Sequence, residues 1–472
     1  MLPSTPSHIH LIGIGGVGMS AIARVLLEQG YHVSGSDRAL NSYTDALERD
    51  GAIIYAGHEA AHIADNPPDC VLISSAIKGN PEVEAAEKLG IPVYKRSDII
   101  ADLMRGQTVI AVAGSHGKTT TTAMIAHILI ETGVNPGYII GGTLKTTGTN
   151  ASAGGGKVFV VEADEYDYMF LGLRPNIAVV TNIEWDHPDF FKTADDFLDA
   201  FLQFVSLVPE NGHAIFCADD PGALNIRYRF REELDVFGYG ARDSGEWLVK
   251  AITPQPDGTS FKIVANGYQS LICDVHLRVP GQVNVLNAVA AVRASQQVGI
   301  KPSAAAAALA TFTGVSRRFD LIGEINNVAV IDDYAHNPAK IRAVLEAARS
   351  RYPDHQIWAI WQPHTYSRTQ TFLPQYANAF SDADHVLVTK IYAAREQGVN
   401  FPGITGETTA AAIRHPDARF TPSFDSAVQT LLSEVAAPAA IVLMSAGDGN
   451  RIGYEYLNFL KLQHDQDTAS TQ

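Results

Sequence analysis

Lys118 and Thr119 follow the flexible turn 113–117, and their types and spacing give the clearest chemical signal in the chain. A β-branched apolar run, 109–112, precedes the turn, and an apolar helical pattern follows it. This order of strand, loop and helix is typical of a phosphate-binding loop, whose backbone N–H groups converge on an anion. The Lys118 ammonium would neutralise nucleotide phosphate oxygens, and the Thr119 hydroxyl would hold Mg²⁺. The loop therefore predicts a site for a nucleoside triphosphate.

The loop departs from the strict phosphate-loop pattern at one position. That pattern places a glycine five residues before Gly117, where this chain has Val112, so the compact form G-x-x-G-K-T remains. A glycine-rich turn with an incidental lysine is the alternative, and the flanking strand and helix argue against it. The residues predicted to contact the triphosphate here are Gly114, Ser115, His116, Gly117, Lys118, Thr119 and Thr120.

Two later strand ends carry groups that could complete such a site. The apolar run 157–162 ends in an acidic cluster with Glu162, and a carboxylate beside a phosphate loop is a usual Mg²⁺ ligand. Exposed acids of a turn are the alternative. The run 177–182 leads to His187, which could bind a second metal or a phosphate group. A lone histidine is more often a structural group, and only its neighbourhood favours a function.

A second glycine-rich loop lies near the N-terminus, between a short strand and a helix. Gly13, Gly15 and Gly18 satisfy G-x-G-x-x-G, and Asp37 lies 19 residues after Gly18. This spacing matches the dinucleotide fingerprint, in which the acidic residue binds a ribose hydroxyl. Any ligand with a diphosphate and a ribose could use the loop. The motif therefore predicts a nucleotide without specifying nicotinamide.

Polar groups follow other strands as well. Ser74 and Ser75 end a buried strand, where ligands bind in open α/β sheets, although helix capping would explain them equally well. In the last third of the chain, the strand 328–331 is followed by a polar segment, 332–338, and the strand 357–361 by another, 362–368. These strand ends predict a third nucleotide-binding-like α/β unit that faces the central loop.

Length and composition fit a soluble, three-domain protein. The 472 residues suggest about three domains at roughly 150 residues each, and 46% apolar residues supply ample core material. The second unit begins near Arg105 and the third at Gly314. We therefore expect an α/β protein with domains 1–104, 105–313 and 314–472.

Charge and cysteine usage exclude several classes of protein. A net charge of -16 argues against a nucleic-acid partner, which requires a basic surface. Cys70, Cys217 and Cys273 are widely separated, which predicts buried thiols in a reducing compartment. The sequence shows neither a leader pattern nor an apolar run of about 20 residues, so we expect a cytoplasmic protein without membrane insertion.

Taken together, these residues resemble those of the Mur ligase family, the ATP-dependent amide-bond-forming enzymes of peptidoglycan synthesis. The resemblance covers nearly the whole length in the right order, and no single motif would suffice. The motifs are GIGGVGMS, AGSHGKTTTT, VVEADE, TNIEWDH, NVLNAVAA, GVSRRF, DDYAHNP and QPHTYSRT. The resemblance implies a Rossmann-like UDP-binding domain, a central ATPase domain of the phosphate-loop type and a Rossmann-like C-terminal domain that closes on ATP.

The resemblance also implies roles for individual residues. Lys118 would contact the ATP phosphates, Thr119 and Glu162 would bind one Mg²⁺, and His187 would serve a second metal. The other residues around ATP would be Asn284, Asn287, Arg318, Asp333 and Tyr334. His336, His364 and Arg368 would face the muramoyl and amino-acid side, with His364 on the UDP-sugar. The remaining UDP-sugar contacts would be Gly13, Gly15, Gly16, Gly18, Asp37, Ser74 and Ser75.

Individual positions distinguish the branches of the family. Val283 stands where members commonly have a histidine, so a nucleotide contact from that imidazole is not expected. Members that add the second and later residues typically carry a carbamate-modified lysine fourteen positions after the metal histidine, where this chain has Phe201. This favours the branch that joins L-alanine to UDP-N-acetylmuramate. Tripeptide-recycling members share the absence, but typically have a cysteine and a phenylalanine where this chain has Gly15 and Val17.

Three classes of function compete at this stage. The ligase accounts for all three predicted domains. A NAD-dependent dehydrogenase would use the first glycine loop but leave Lys118, Glu162 and His187 without a role. A nucleotide-dependent regulatory protein would not need the charged residues of the third domain. The sequence leaves the oligomeric state open between monomer and dimer.

Overall fold

The structure, a computed structural model, describes residues 2–74, 77–242, 244–255, 257–267 and 269–470. Over these residues the strands form three sheets, of five, ten and six strands, with helices packed on them. The predicted three-part α/β architecture is confirmed. The predicted boundaries after residues 104 and 313 lie in the chain between successive sheets, and these two positions stay a prediction.

The first sheet is entirely parallel and has the Rossmann strand order, β3-β2-β1-β4-β5. Its strands are β1 His8–Ile12, β2 His32–Asp37, β3 Ile53–Ala56, β4 Cys70–Ile73 and β5 Val93–Lys95. Its helices are α1 Val17–Glu28, α2 Ser42–Arg49, α3 Ala61–Ala64, α4 Pro81–Lys88 and α5 Arg96–Ile99. A 3₁₀ turn, Asp102–Met104, leads out of this unit.

The central sheet is parallel in its middle and antiparallel at both edges, in the order β15-β14-β13-β12-β11-β10-β6-β9-β7-β8. Its strands are β6 Thr108–Ala113, β7 Gly137–Leu144, β8 Thr149–Ser152, β9 Val158–Glu162, β10 Ile177–Val180, β11 His213–Cys217, β12 Asp235–Gly240, β13 Trp247–Gln255, β14 Gly258–Ala265 and β15 Leu271–Leu277. Its helices are α6 Lys118–Glu131, α7 Ala194–Val205, α8 Pro221–Phe230, α9 Gln282–Gln297 and α10 Pro302–Leu309, with a 3₁₀ turn at Tyr166–Gly172.

The third sheet has the order β16-β17-β21-β18-β19-β20 and is parallel except at its first edge strand. Its strands are β16 Asp320–Ile325, β17 Val328–Asp333, β18 Gln356–Gln362, β19 His385–Val388, β20 Ala418–Phe420 and β21 Ala439–Ser445. Its helices are α11 Pro338–Arg351, α12 Tyr366–Thr371, α13 Leu373–Tyr376, α14 Gly406–Ala412, α15 Phe424–Glu434 and α16 Arg451–Ser470, with a 3₁₀ turn at Gly398–Asn400.

Buried apolar strands explain why these sheets form. The central strands β6, β9 and β10 are buried on both faces, as a parallel sheet covered by helices requires. One contiguous apolar core continues from the first sheet into the central domain, while α6 and α9 cover the opposite face of the central sheet. The carboxyl ends of the parallel strands are thereby held in fixed positions, and the functional side chains follow them.

The three cysteines are buried, as the sequence predicted. Cys70, Cys217 and Cys273 are all buried, and burial raises the pKa of each thiol to about 11. The thiols are therefore protonated at neutral pH and pack as small apolar groups.

Among the described residues, no helix is long and apolar enough to cross a membrane.

Three histidines surround the buried carboxylate of Glu82 in the first domain. Glu82 Oε1 lies 2.7 Å from His62 Nδ1 and 3.4 Å from His10 Nε2, and Glu82 Oε2 lies 3.0 Å from His58 Nδ1. Ser36 Oγ donates a hydrogen bond to Oε2 at 2.6 Å. Burial raises the pKa of Glu82, but the interactions with His10, Ser36 and His62 outweigh it and lower the pKa to about 2. The carboxylate is therefore ionised and stabilises the fold.

We expect Glu82→Gln to lower the thermal unfolding midpoint at neutral pH, with a loss of about 1–3 kcal/mol for an unsatisfied buried cluster. The folded-state pKa of Glu82 lies below its ordinary value of 4.5. Its stabilisation is therefore present above about pH 5 and is lost as the pH falls toward 2. Differential scanning calorimetry at pH 6 and pH 3 measures this: the difference in midpoint between wild type and variant should be largest at pH 6 and clearly smaller at pH 3, where part of the stabilisation remains. Glu84→Gln, on the exposed side of α4, is the matched control. Equal midpoints of Glu82→Gln and wild type at pH 6 would contradict the prediction.

Candidate active site

Two glycines shape the predicted phosphate loop between β6 and α6. Gly114 has φ +140° and Gly117 has φ +81°, so both adopt backbone conformations that favour glycine. A Cβ at Gly114 would overlap the Thr181 hydroxyl, and one at Gly117 would lie 2.5 Å from Asn287 Oδ1. Both positions therefore require glycine for conformation and for space.

The loop is fastened to the end of β10. Ser115 N donates to Asn182 O at 3.0 Å, and His116 N donates to Asn182 Oδ1 at 2.8 Å. The His116 ring lies 2.6 Å from Glu184 Oε2. The backbone N–H groups of Ser115 and His116 are therefore already used, so their predicted contacts with ATP stay a prediction.

The first turn of α6 supplies the N–H groups that can bind an anion. The first N–H groups of a helix have no partner inside it, and here they belong to the segment that starts at Lys118. The helix also places its positive end at this point. Thr119 and Thr120 follow Lys118, and all three line one large cavity.

Lys118 is held in an ion pair with Glu165. The Lys118 Nζ atom lies 2.7 Å from Glu165 Oε2 and donates to Gly114 O at 2.5 Å. Glu165 is only 1% exposed. Burial raises its pKa, but Lys118 and His187 bring the pKa of Glu165 down to about 2. Burial opposes the charge of Lys118, yet the carboxylates of Glu165 and Glu162 raise its pKa. Both members of the pair are therefore charged.

Thr119 and Glu162 are brought together as predicted for a shared Mg²⁺. Thr119 Oγ1 donates to Glu162 Oε1 at 3.0 Å, and Glu162 Oε2 accepts from Gly141 N at 2.7 Å. Arg318 Nη2 donates to Thr119 Oγ1 at 3.0 Å from the C-terminal domain. A hydroxyl and a carboxylate next to a phosphate site form the oxygen-rich donor set that suits Mg²⁺.

His187 contacts different partners from the Thr119–Glu162 pair. Its Nε2 atom lies 3.5 Å from Glu165 Oε1, and its Nδ1 atom lies 3.3 Å from Arg368 Nη2. Its backbone has φ +56°, a strained conformation for a non-glycine residue that is common at functional sites. Within the described part of the chain, no group of three or more His, Cys, Asp or Glu side chains has the arrangement of a metal site. The second metal at His187 stays a prediction.

A buried ion pair joins the central and C-terminal domains. Arg368 Nε and Nη2 donate to Asp186 Oδ1 at 3.1 and 2.9 Å, and the two residues are 4% and 2% exposed. Burial raises the pKa of Asp186, but Arg368 and His187 hold it well below its usual range. Asn337 Nδ2 donates to Asp186 Oδ2 at 3.3 Å, and Arg368 Nη1 lies 3.1 Å from His364 Nδ1. Asp186 therefore organises His364 and Arg368 around the cavity.

Arg318, Asp333 and Tyr334 line the cavity from the C-terminal domain. Asp333 accepts hydrogen bonds from Phe319 N and Ala335 N, both at 2.7 Å. The Arg318 guanidinium lies 4.9 Å above the centre of the Tyr334 ring. Burial raises the pKa of Asp333, although Arg318 opposes this. The Asp333 carboxylate, through its hydrogen bond from Phe319 N, holds the segment that carries Arg318 at the cavity.

His336 is a neutral base in this arrangement. Its Nδ1–H donates to Tyr334 O at 2.8 Å, which leaves the Nε2 lone pair available. Burial, with the nearby cations of Lys340 and Arg368, holds the pKa of His336 well below its usual range.

Asn284 and Asn287 lie on one face of α9, as their spacing predicted. Asn287 Nδ2 donates to Asn284 Oδ1 at 3.1 Å, and Asn287 packs against Gly117 of the phosphate loop. Val283 is 43% exposed and also lines the cavity. An apolar side chain therefore stands where the resemblance would place a histidine.

All three domains contribute to this one cavity, which has a volume of about 1020 Å³. The first domain contributes Val17, Gly18, Ile22, Arg96 and Ile100. The central domain contributes the phosphate loop, Glu162, Glu165, His187, Asn284 and Asn287. The C-terminal domain contributes Arg318, Asp333, Tyr334, His336, Lys340, His364 and Arg368. A ligand here would contact residues that are far apart in the sequence.

The first glycine loop lies beside the cavity, which it reaches through Gly18. Gly13 has φ +82°, and Gly16 N donates to Gly13 O at 3.2 Å. Gly15 N donates to Asp37 Oδ2 at 2.9 Å, so that carboxylate already supports the loop. Ser74 follows β4 close to Gly13, while Ser75 lies outside the described residues. The UDP-sugar contacts of this loop stay a prediction.

Sequence reasoning missed four residues that organise the site. Asn182, Glu165 and Asp186 lie in motifs that the sequence did indicate, at a strand end, in the acidic cluster and immediately before His187. Their roles as partners of the loop, of Lys118 and of Arg368 depend on contacts between distant segments. Lys340 carries no comparable signal, because its helical position and charge are also those of a solvent-exposed lysine.

Phe201 is a core residue and lies outside the cavity. It is fully buried in α7, with its ring 5.5 Å from that of Phe170 and 5.1 Å from that of Phe197. An ionised, carbamate-bearing side chain could not be accommodated among these rings without a large desolvation cost. Position 201 therefore serves the packing of the hydrophobic core.

Family models match each of the three units of the chain. The model described as "Mur ligase family, catalytic domain" matches residues 8–108. The model for the "Mur ligase middle domain" matches residues 112–295, and "Mur ligase, glutamate ligase domain" matches residues 317–447. The matches follow the order of the three sheets.

Whole-length relatives give the same assignment. The UDP-N-acetylmuramate–L-alanine ligase of Acidithiobacillus ferrooxidans is 43% identical over 446 residues, covering 93% of this chain and 95% of the relative. That of Renibacterium salmoninarum is 42% identical and covers 96% of each. The crystal structure of the UDP-N-acetylmuramate–alanine ligase of Thermotoga maritima matches with a TM-score of 0.81 at 27% identity, covering 97% of this chain and 100% of that one. A murein peptide ligase of Psychrobacter arcticus matches with a TM-score of 0.75 at 28% identity, covering 96% and 98%. This protein therefore belongs to the Mur ligase family.

Proposed function

We propose that this protein uses ATP to join L-alanine to the lactyl carboxylate of UDP-N-acetylmuramate, a step in peptidoglycan precursor synthesis. The observation that carries the proposal is the single cavity in which the phosphate loop of the central domain meets Gly18 and Arg96 of the first domain and Arg318 of the third. Relatives that bear this activity in their names share 42–43% identity with the chain over nearly its whole length.

The chemistry requires activation of a carboxylate. A carboxylate and an amine do not condense at neutral pH, so one carboxylate oxygen must become part of a leaving group. The lactyl carboxylate attacks the γ-phosphorus of ATP, which releases ADP and forms an acyl phosphate. The free amine of L-alanine then attacks the acyl carbon, phosphate leaves, and the amine loses a proton. The products are the amide, ADP and inorganic phosphate.

The first step brings two anions together, and the chain supplies the compensating charge. Lys118 and the N-terminus of α6 lie at the phosphate loop, and Arg318 reaches the same point from the C-terminal domain. Such pre-positioned groups stabilise the charge of a phosphoryl transition state. Mg²⁺ held by the Thr119 hydroxyl and the Glu162 carboxylate would further neutralise the phosphate oxygens.

The second step needs an acceptor for the proton of the amine. His336 is buried and neutral, with its Nε2 atom available and its Nδ1 atom engaged by the backbone. We assign His336 the task of accepting that proton at Nε2, while Arg368 and His364 orient the reacting groups. Because its substrates would be ATP and a UDP-sugar, we propose that the reaction takes place in the cytoplasm.

Phosphate release separates this proposal from its alternatives. We expect release that depends on ATP, Mg²⁺, UDP-N-acetylmuramate and L-alanine together. Release with L-alanyl-γ-D-glutamyl-meso-diaminopimelate in place of L-alanine would instead assign the tripeptide-recycling reaction. Reduction of NAD by a hydroxy acid, without phosphate release, would overturn the ligase and favour a dehydrogenase. Omission of each substrate in turn is the control for background ATP hydrolysis.

A further inference from the structure

The cations that line the cavity differ in how they are paired. Most are held by a partner within the protein: Lys118 by Glu165, Arg318 by Thr119, Arg368 by Asp186 and Arg96 by Asp164. Lys340 lines the same cavity, yet its ammonium makes no hydrogen bond or ion pair with any described residue. Partial burial of an unpaired cation raises the free energy of the folded protein, and an anionic ligand that pairs with the ammonium would lower it.

The backbone of Lys340 is held firmly against the central domain. Lys340 is the third residue of α11, and its N–H donates to the capping oxygen of Asn337 at 2.9 Å. The Asn337 amide nitrogen donates in turn to Asp186. The backbone at Lys340 is therefore linked through Asn337 to Asp186 of the central domain.

The charges around Lys340 show which anion fits. Burial lowers the pKa of Lys340 to about 8; Asp186 opposes this, and the cations Lys118, Arg318 and Arg368 add to it. Asp186 is already engaged by Arg368. The foremost of the repelling cations, Lys118, belongs to the phosphate loop, and Arg318 contacts Thr119 of that loop. A group with several negative charges would relieve the repulsion of all of them.

We propose that the Lys340 ammonium binds the γ-phosphoryl group of ATP, together with Lys118 and Arg318. This inference rests on the proposed function. Lys340 donates hydrogen bonds to the peripheral phosphate oxygens and neutralises their charge while the γ-phosphorus–oxygen bond to ADP breaks and the bond to the lactyl oxygen forms. It makes no covalent bond and transfers no proton. The C-terminal domain thereby supplies a second cation to a phosphate site that the central domain begins.

Nucleotide binding to the full-length protein tests this assignment. We expect Lys340→Met to bind the β,γ-imido analogue of ATP about 10- to 100-fold more weakly in the presence of Mg²⁺, the usual range for losing a charged hydrogen bond. Binding of ADP, which lacks the γ-phosphate, should change by less than about twofold. Isothermal titration calorimetry measures both constants. Arg342→Met removes a charge from the exposed side of α11 and is the matched control, while Lys340→Arg should retain most of the affinity.

Other results would overturn the assignment. If Lys340→Met weakened the binding of the ATP analogue and of ADP equally, Lys340 would contact another part of the nucleotide or have a structural role. Unchanged nucleotide binding with a raised KM for L-alanine would place it on the amino-acid carboxylate. A thermal midpoint of Lys340→Met well below that of Arg342→Met would also indicate a structural role, because removing an unpaired cation should not destabilise the fold. Failure of the proposed function is a separate result, since wild type would then release no phosphate with L-alanine.

Discussion

Replacing Lys118 by alanine is expected to leave the protein folded and to reduce phosphate release by at least about 10²- to 10³-fold. Lys118 lies at the first position of α6, where its ammonium and the helix N-terminus face the same cavity. Loss of one group placed in advance for transition-state charge typically costs roughly 3–4 kcal/mol. Steady-state kcat/KM with all three substrates measures the effect. Near-normal turnover would refute the assignment of this loop.

The ion pair of Lys118 with Glu165 has a second consequence. In Lys118→Ala the buried Glu165 carboxylate loses its closest cation, so some stability is lost as well. The double variant Lys118→Met/Glu165→Gln removes both charges and should recover the thermal midpoint without recovering activity. Lys301→Ala, at an exposed position, controls for loss of a positive charge in general. Recovery of activity in the double variant would mean that Lys118 acts only as a structural partner.

Replacing Asp186 by asparagine is expected to have the second largest effect, on catalysis and on domain contact together. The substitution leaves the Arg368 guanidinium buried without its carboxylate, and breaking a buried pair in this way typically costs about 3–5 kcal/mol. Arg368 would then no longer hold His364 and His187 in place. We expect kcat/KM to fall by about 10²-fold, because a displacement of about 1 Å of groups that position the substrates is enough for a loss of that size.

A double-mutant cycle with Arg368→Met tests whether the two residues act as a unit. Their effects should be strongly non-additive, because either single variant already breaks the same pair. Asp189 and Arg395 form a second, more exposed ion pair between the domains, and Asp189→Asn is the matched control. Partly exposed pairs are typically worth less than about 1 kcal/mol, so this control should retain most activity. Additive effects of Asp186→Asn and Arg368→Met would show that their contact is incidental.

Local patterns were sufficient to predict most elements around the site. The apolar run 109–112 and the loop after it predicted a strand and a helix, and the structure has β6 at Thr108–Ala113 and α6 at Lys118–Glu131. Predicted strand ends elsewhere agree to within one or two residues, as for Val328–Asp333 and Gln356–Gln362. Buried strands and glycine turns depend on residues that are adjacent in the sequence, so local patterns predict them directly.

Pairings between distant segments were not accessible in this way. Asn182 fastens a loop that is 66 residues away, and Asp186 binds Arg368 across 182 residues. The sequence assigned His187 to a second metal, which stays a prediction, and it could not show that the His187 ring contacts Glu165 and Arg368. Which strand ends meet depends on sheet order and domain packing, and no local pattern encodes either.

The sequence by itself determined the α/β fold class, the three α/β units and the types of chemical group at the strand ends. These features follow from composition, from apolar periodicity and from glycine positions, all of which are local. The tertiary structure decided which charges are paired. Lys118 and Arg368 are neutralised by carboxylates within the protein, while Lys340 faces the cavity without a described partner. Pairing depends on distance and burial in three dimensions, because electrostatic interactions strengthen as water is excluded. Whether a charged side chain is paired within the protein or available to a ligand therefore depends on how the three domains pack around the cavity.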